Sequence, residues 1–389
     1  MQLVPEIVAR ADELTEWRRD LHRHPELGFE EVRTAGFIAD RLRQAGFVVT
    51  EGIGRTGVVG TLSTGNGPSI GLRADMDALP MDEGVDRPWK SETPGVFHGC
   101  GHDGHTISLL AAAEHLAAAR IFSGTVHVIF QPAEEGLGGG AAMVEDGLFE
   151  KFPCDAVFGF HNMPLLPFGQ GTVRSGPAMA SFDEFEVTMI GRGGHAAMPH
   201  KAADTAYALA DAAVALQGIV SREVDPHAAA VLSVTQIHVG TTHNVLAERG
   251  WLGGTVRALD ESARAKIDEA FHRVVRGVAS ARGVDVEIDY QRRYPVLVND
   301  ATMAEWAGDA MCDVLGEESI ATAFPPLLAA EDFAFMTQVQ PGAYILLGQG
   351  RGPDSPMVHH PAYDFDDELL PVAASCLVRL VERQLPVSN

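Results

Sequence analysis

Cysteine is scarce in this chain: Cys100, Cys154, Cys312 and Cys376 are the only four in 389 residues, and their spacing is irregular. So sparse a set excludes a disulfide framework and fits a reducing, cytoplasmic compartment. Positive charge is short as well. Lys and Arg number 29 against 53 Asp and Glu, a formal net charge of −24. Such a chain repels nucleic acid and anionic membranes, and neither is expected as a partner. No apolar run approaches the ~18 residues that a membrane span needs. Met1 to Arg10 contains Glu6 and no long apolar stretch, so no signal peptide is expected. Internal repeats, low-complexity linkers and a Gly-x-Ser-x-Gly elbow for a serine hydrolase are all missing. What remains is an ordinary globular composition, 46% hydrophobic and 21% charged, with length enough for two domains or one large one.

Periodicity divides the chain into three blocks. The first opens with a helical segment after Pro5, ended by His24-Pro25, and a second helix over about Glu30 to Ala45, stopped by Gly46. Short apolar runs at Val58–Leu62, Ile70–Met76, Thr125–Phe130 and Ala156–Phe160 predict strands, and the Ala- and Leu-rich run Thr106–Ala119 predicts a helix. This alternation is that of an α/β domain. From about residue 180 the pattern changes. Phe185, Val187 and Met189 alternate with polar residues, and further strands follow at Val231–Val239, Trp251–Ala258 and Val284–Tyr290. Two long helices, Ala202–Ile219 and Ser262–Ala281, complete a small α+β unit of the kind whose open sheet favours pairing with a second copy. After Pro295 the first pattern returns. Residues 180–292 therefore read as an insertion into a domain formed by 1–179 and 293–389.

Residues able to bind metal gather where predicted strands end. Cys100 and His102 lie in the glycine-rich loop 97–105, where Gly99, Gly101 and Gly104 allow the backbone to fold closely round an ion. Thiolate and imidazole suit zinc, and carboxylates widen the choice toward manganese. Glu134 and Glu135 follow the strand that ends near Phe130, with Pro132 preventing its simple continuation. If that segment is extended, neighbouring side chains point apart, so one carboxylate can bind metal while the other carries protons. His161 ends the strand Ala156–Phe160, and His359 with His360 forms a last cluster. Singly, each of these is as easily a turn or surface residue. The coincidence of four such places is what points to a metal centre.

His195, in the glycine-rich stretch 191–200, reads either as a loop histidine capping the next helix or as a site residue. Asn244 and Arg257 belong to the same block, and the planar fork of an arginine suits a substrate carboxylate.

Taken with LRADMDALP (72–80), HGCGHDGH (98–105), FQPAEEG (130–136), GFHNMP (159–164), GRGGHAAMPH (191–200), EDFAF (331–335) and VHHPAYDFDDE (358–368), the chain resembles the M20 metallopeptidase family over almost its whole length. The resemblance is to the amidohydrolase branch, which holds hippurate hydrolases, N-acyl-amino-acid amidohydrolases and auxin-conjugate hydrolases. It implies an α/β catalytic domain with a mixed central sheet flanked by helices. It also implies that the inserted α+β domain, with a four-stranded sheet and two helices, is a dimerisation or lid domain. Two divalent ions (Mn, Zn, Co or Ni) are implied, with Cys100, His102, Glu135, His161 and His359 as ligands. Glu134 matches the catalytic carboxylate. His195 matches a histidine that enters the partner subunit's site, and Asn244 and Arg257 match substrate contacts. The implied reaction is hydrolysis of N-acyl amino acids by a homodimer. A dipeptidase or other deacylase is the near alternative, and a non-catalytic ligand-binding homologue the distant one. The sequence departs from the common pattern at His360, where relatives often have serine, and at Ala329-Ala330 before Glu331. Asp75 and Asp77, with His360 and Glu331, are left as residues that support the site.

Overall fold

Two sheets organise the chain, each within its own unit of a computed structural model that describes residues 1–387. One unit comprises Met1–Gly176, Val298–Pro325 and the chain from Asp332 on; the other comprises Pro177–Leu297 and Pro326–Glu331. Among the described residues no helix is long and apolar enough to cross a membrane.

The larger unit is built on a seven-stranded mixed sheet. Its order is Val48–Ile53, Gly57–Thr64, Gly124–Gln131, Ser69–Asp75, Ala156–Pro167, Gly342–Gly350 and Gly171–Thr172. The four strands from Gly124–Gln131 to Gly342–Gly350 run parallel, and the remaining pairs are antiparallel. The parallel strands read as apolar runs because both faces are covered: Leu72, Val128, Phe158 and Ile345 are almost wholly buried. Helix His102–Ala119 is apolar on every side, and helices Ala11–Arg23, Val32–Ala45 and Leu369–Gln384 pack round it. A helix of that character belongs in a core, and this is what buries its polar first turn.

The smaller unit is a four-stranded antiparallel sheet in the order Ala230–Val239, Arg249–Ala258, Phe182–Ile190 and Asp285–Tyr294. The alternation seen in the sequence places Phe185, Val187 and Met189 against helices Thr205–Arg222 and Glu261–Arg282. Asp204 and Asp260 cap these helices through the N–H groups of Tyr207 and Ala263. The expected fold class, a mixed α/β sheet together with a separate four-stranded α+β unit, is the one observed.

Three local expectations are corrected. The opening helical segment is two helices, Pro5–Val8 and Ala11–Arg23, with a turn at Ala9 and Arg10. The helix expected from Thr106 starts at His102, because Gly101 takes a left-handed φ of +94° and lets the chain turn directly into it. The strand expected to stop at Phe160 continues to Pro167, because Gly342–Gly350 pairs with it past His161 and Asn162.

Candidate metal centre

The carboxyl ends of the four parallel strands open on one side of the large sheet, where open α/β sheets bind ligands. Ser69–Asp75 leads to Asp77, Gly124–Gln131 leads to Glu134 and Glu135, and Ala156–Pro167 carries His161. The loop after Gly342–Gly350 carries His359. It is tied down where the His359 N–H donates to the Gly99 carbonyl at 2.7 Å. The first turn of helix His102–Ala119 brings His102, with Cys100 just ahead of it.

These side chains converge. Cys100 Sγ lies 3.3 Å from His161 Nε2, His359 Nε2 lies 3.3 Å from Glu135 Oε1, and His102 Nε2 lies 3.9 Å from the same oxygen. The donor atoms fall into overlapping sets, Cys100–His102–His161, Cys100–Glu135–His359 and His102–Glu134–Glu135, each with its atoms within 4.8 Å of one another. His360, the second candidate in its segment, instead accepts the Ala362 N–H on Nδ1. The two glutamates do not point apart. Ala133 takes a φ of +53° and residues 134–137 form a turn, so the segment is not extended and both carboxylates reach toward His102.

Two of these atoms test whether the site suits a cation. His102 Nε2 and Glu135 Oε1 are buried and have no hydrogen-bond partner. Buried polar atoms are nearly always satisfied, and orphans of this kind facing one another call for a shared cation. A thiol, three imidazoles and a carboxylate are a suitable donor set for zinc-like or manganese-like divalent ions.

Supporting residues aim the donors, Asp77 among them. Asp77 Oδ1 lies 3.2 Å from His102 Nδ1, and its Oδ2 accepts the Glu135 N–H at 3.0 Å. That carboxylate directs Nε2 of His102 outward. His161 is set by a backbone group: its Nδ1 lies 2.6 Å from the Asn162 carbonyl. A carbonyl only accepts, so Nδ1 carries the proton and Nε2, facing Cys100, keeps a lone pair able to bind metal. Glu134 is steadied from the EDF segment, where the Asp332 N–H donates to its Oε1 at 3.4 Å. The Asp332 carboxylate in turn accepts from Gln131 Nε2 at 2.6 Å, the Gly140 N–H at 2.7 Å and the wholly buried Arg73 at 3.1 Å. Arg73 also binds Asp75 at 2.8 Å.

Electrostatics differ sharply among the donors. Burial pulls the His102 imidazole down, but Asp75, Asp77 and Glu135 more than offset it and hold the pKa at about 10. Burial, reinforced by Glu135 and Glu134, pushes the Cys100 thiol well above its usual value. Burial and the neighbouring His105 push His161 well below the ordinary range. Burial alone would raise Asp75, but His102, His105 and Arg73 hold it well below the usual carboxylate range.

The remaining expected site residues belong to the smaller unit. His195 is exposed, in a two-residue strand paired with Val245 and Leu246. The Ala196 N–H donates to the Asn244 carbonyl at 3.0 Å, so His195 and Asn244 are held in one ribbon. His195 Nδ1 accepts the Ala197 N–H at 3.1 Å. The Asn244 side chain accepts from Thr242 Oγ1 at 2.9 Å. Arg257 lies on strand Arg249–Ala258 with its guanidinium 4.0 Å from the centroid of the Phe182 ring, and burial lowers its pKa.

Residues absent from the sequence-based site include His105, Asn162, Asp332 and Tyr363. A signal for His105 was present: it stands three residues after His102, on the same face of one helix.

Comparison with known proteins agrees with this geometry. Residues 71–383 match the model of Peptidase family M20/M25/M40. Hippurate hydrolase of Campylobacter jejuni is 42% identical over 386 residues, covering 99% of this chain and 100% of its own. N-acetylcysteine deacetylase of Bacillus subtilis is 36% identical over 94% of this chain and 95% of its own. Among solved structures, the YXEP protein of Bacillus subtilis, a dinuclear metal-binding peptidase of the M20 family, superposes with a TM-score of 0.83. It is 34% identical over 97% of this chain and 99% of its own. The chain therefore belongs to Peptidase family M20/M25/M40, as a metal-dependent amide hydrolase.

Proposed function

We propose that this enzyme cleaves the amide bond of N-acyl amino acids, hippurate-like or N-acetyl, at a centre of two divalent ions. The observation that carries the reading is the convergence of Cys100, His102, Glu135, His161 and His359, with two orphaned ligand atoms, beside the separate carboxylate of Glu134. Hippurate hydrolase and N-acetylcysteine deacetylase among the relatives support the substrate class. The five residues hold the ions, whose identity is Mn, Zn, Co or Ni. When bound, such ions supply Lewis acidity, which brings the pKa of water from about 15.7 toward ~7 in the strongest cases.

Glu134 is the proton carrier. It takes the proton of the attacking water and delivers it to the leaving amine, which departs as a neutral group. Asp332 and, through it, Arg73 keep the Glu134 carboxylate aimed. Asn244 and Arg257 hold the carboxylate of the amino-acid half, Arg257 through its planar fork. His195 serves the site of the other subunit of a homodimer and stabilises the developing oxyanion there. In this reading the larger unit is the catalytic domain and the smaller one the dimerisation or lid domain. The four unpaired cysteines fit a reducing, cytoplasmic setting.

The test is a substrate panel. The chelated enzyme is reconstituted with Mn²⁺, Zn²⁺, Co²⁺ or Ni²⁺ and offered N-acetyl, N-benzoyl and N-indoleacetyl amino acids and a dipeptide. Release of free amino acid from at least one N-acyl class, abolished by chelation, is expected. Cleavage of the dipeptide alone would move the enzyme to the dipeptidase alternative, and no turnover with any metal would sink the proposal.

A further inference from the structure

Behind the five donors lies a set of buried polar residues to which the proposed reaction gives no part. His105, in the first turn of helix His102–Ala119, is fully buried. Its Nδ1 lies 2.6 Å from Asp75 Oδ1, and its Nε2 lies 2.6 Å from Asn162 Oδ1 and 3.2 Å from the Asn162 backbone nitrogen. Asn162 is fully buried too, and its Nδ2 donates to the Tyr363 hydroxyl at 2.7 Å. Tyr363, again fully buried, stands four residues beyond His359. The carbonyl of Asn162 is the group that sets the His161 ring. Between the two first donors sits Gly101, where a Cβ would come 2.4 Å from the Tyr363 hydroxyl and 2.6 Å from Asn162 Oδ1. An amide oxygen only accepts, so the His105 Nε2–H donates to Oδ1, and Asn162 thus has its carbonyl and both ends of its side chain in use, each toward a segment that carries a donor.

We propose that Asn162, held between His105 and Tyr363, is a clasp that positions the metal donors by joining the segments of His102, His161 and His359 through one buried side chain. Each of those segments comes from a different strand end or helix start, and apolar packing alone leaves the ring rotations of histidines free. A directional bond to a single shared residue removes that freedom before any ion arrives. The clasp acts through the ligands and touches no substrate. Its loss lowers metal affinity, with kcat falling in step with occupancy. The inference rests on the metal-binding reading above.

The test measures metal affinity directly. Wild type, Tyr363→Phe, Asn162→Ala and the double variant are stripped of metal and titrated with Zn²⁺ and Mn²⁺ against a fluorescent chelator. Bound metal is counted by mass spectrometry, and the fold of each stripped protein is checked by circular dichroism and its melting temperature. A control, Tyr290→Phe, removes a partly buried tyrosine bond to Asp183 in the smaller unit, at 2.8 Å. The clasp predicts that Tyr363→Phe and Asn162→Ala each weaken binding about 10–100-fold, and that the double variant is little worse than the stronger single one. Tyr290→Phe lowers the melting temperature and leaves affinity unchanged. Folded variants that bind as wild type does, or a double variant whose losses multiply, overturn the clasp while leaving the metal reading intact. Failure of the wild type itself to bind either ion overturns both. If Asn162→Ala does not fold, Tyr363→Phe, which keeps the ring and loses only the hydroxyl, decides alone.

Discussion

At the scale of single residues, the proposed function gives two adjacent glutamates separate jobs. Glu135 carries a buried oxygen with no hydrogen-bond partner, whereas Glu134 is steadied by a backbone N–H. Glu134→Gln keeps the shape and removes the proton carrier. Metal content should be unchanged and kcat should fall by about 10²–10⁴-fold; retained turnover in a steady-state assay would take Glu134 out of that role. The donors also predict a pH dependence. Cys100, raised far above its ordinary value, and His102, held at about 10, both keep their protons at neutral pH in the metal-free protein. An ion can bind only when these protons leave, so affinity rises with pH from neutrality toward about 10. Calorimetry in buffers of different ionisation enthalpy should register proton release on Zn²⁺ binding, and affinity flat from pH 6 to 8 would contradict the assignment.

At the scale of elements, helix His102–Ala119 has to be both core and site. Its buried flanks leave no room at Gly104, where a Cβ would meet the Phe365 ring at 2.3 Å. Gly104→Ala should cost about 1–3 kcal/mol of stability through overpacking. The opposite holds for Gly277, which lies in helix Glu261–Arg282 with no atom within 4 Å of the position of a Cβ. Gly277→Ala should stabilise that unit by about 0.5–1 kcal/mol, because alanine loses less backbone freedom on forming a helix. Urea denaturation of the two variants beside wild type checks both signs. The same glycine substitution thus separates a position walled in by Phe365 from one on the exposed face of a helix.

At the scale of the whole molecule, the proposed dimer makes a prediction that neither residue nor element can test. If His195 serves the partner's site, a chain with His195→Ala and a chain with Glu134→Gln each fail alone. Mixed after reversible dissociation, they should regain activity, because one of the two sites in a mixed dimer combines an intact Glu134 with an intact His195. Turnover restored on mixing, with the dimer confirmed by sedimentation, is the expected outcome; mixtures as inactive as their components would place His195 elsewhere.

The sequence by itself determined the elements and the inventory of donors. Strand alternation at Phe185, Val187 and Met189 and the apolar runs of the parallel strands depend on local period, which a linear reading captures. The gathering of Cys, His and Glu at strand ends was legible for the same reason: strand ends are marked by glycine and proline. What only the tertiary structure decided is direction. The glutamates turn together because Ala133 adopts a left-handed backbone, and His359 rather than His360 faces Glu135 because its loop is pinned to Gly99. Asn162 became central because a parallel neighbour, Gly342–Gly350, extends its strand past His161. His359 is fixed by a residue 260 positions away and Asn162 by a strand partner 185 positions away, and no local period encodes either.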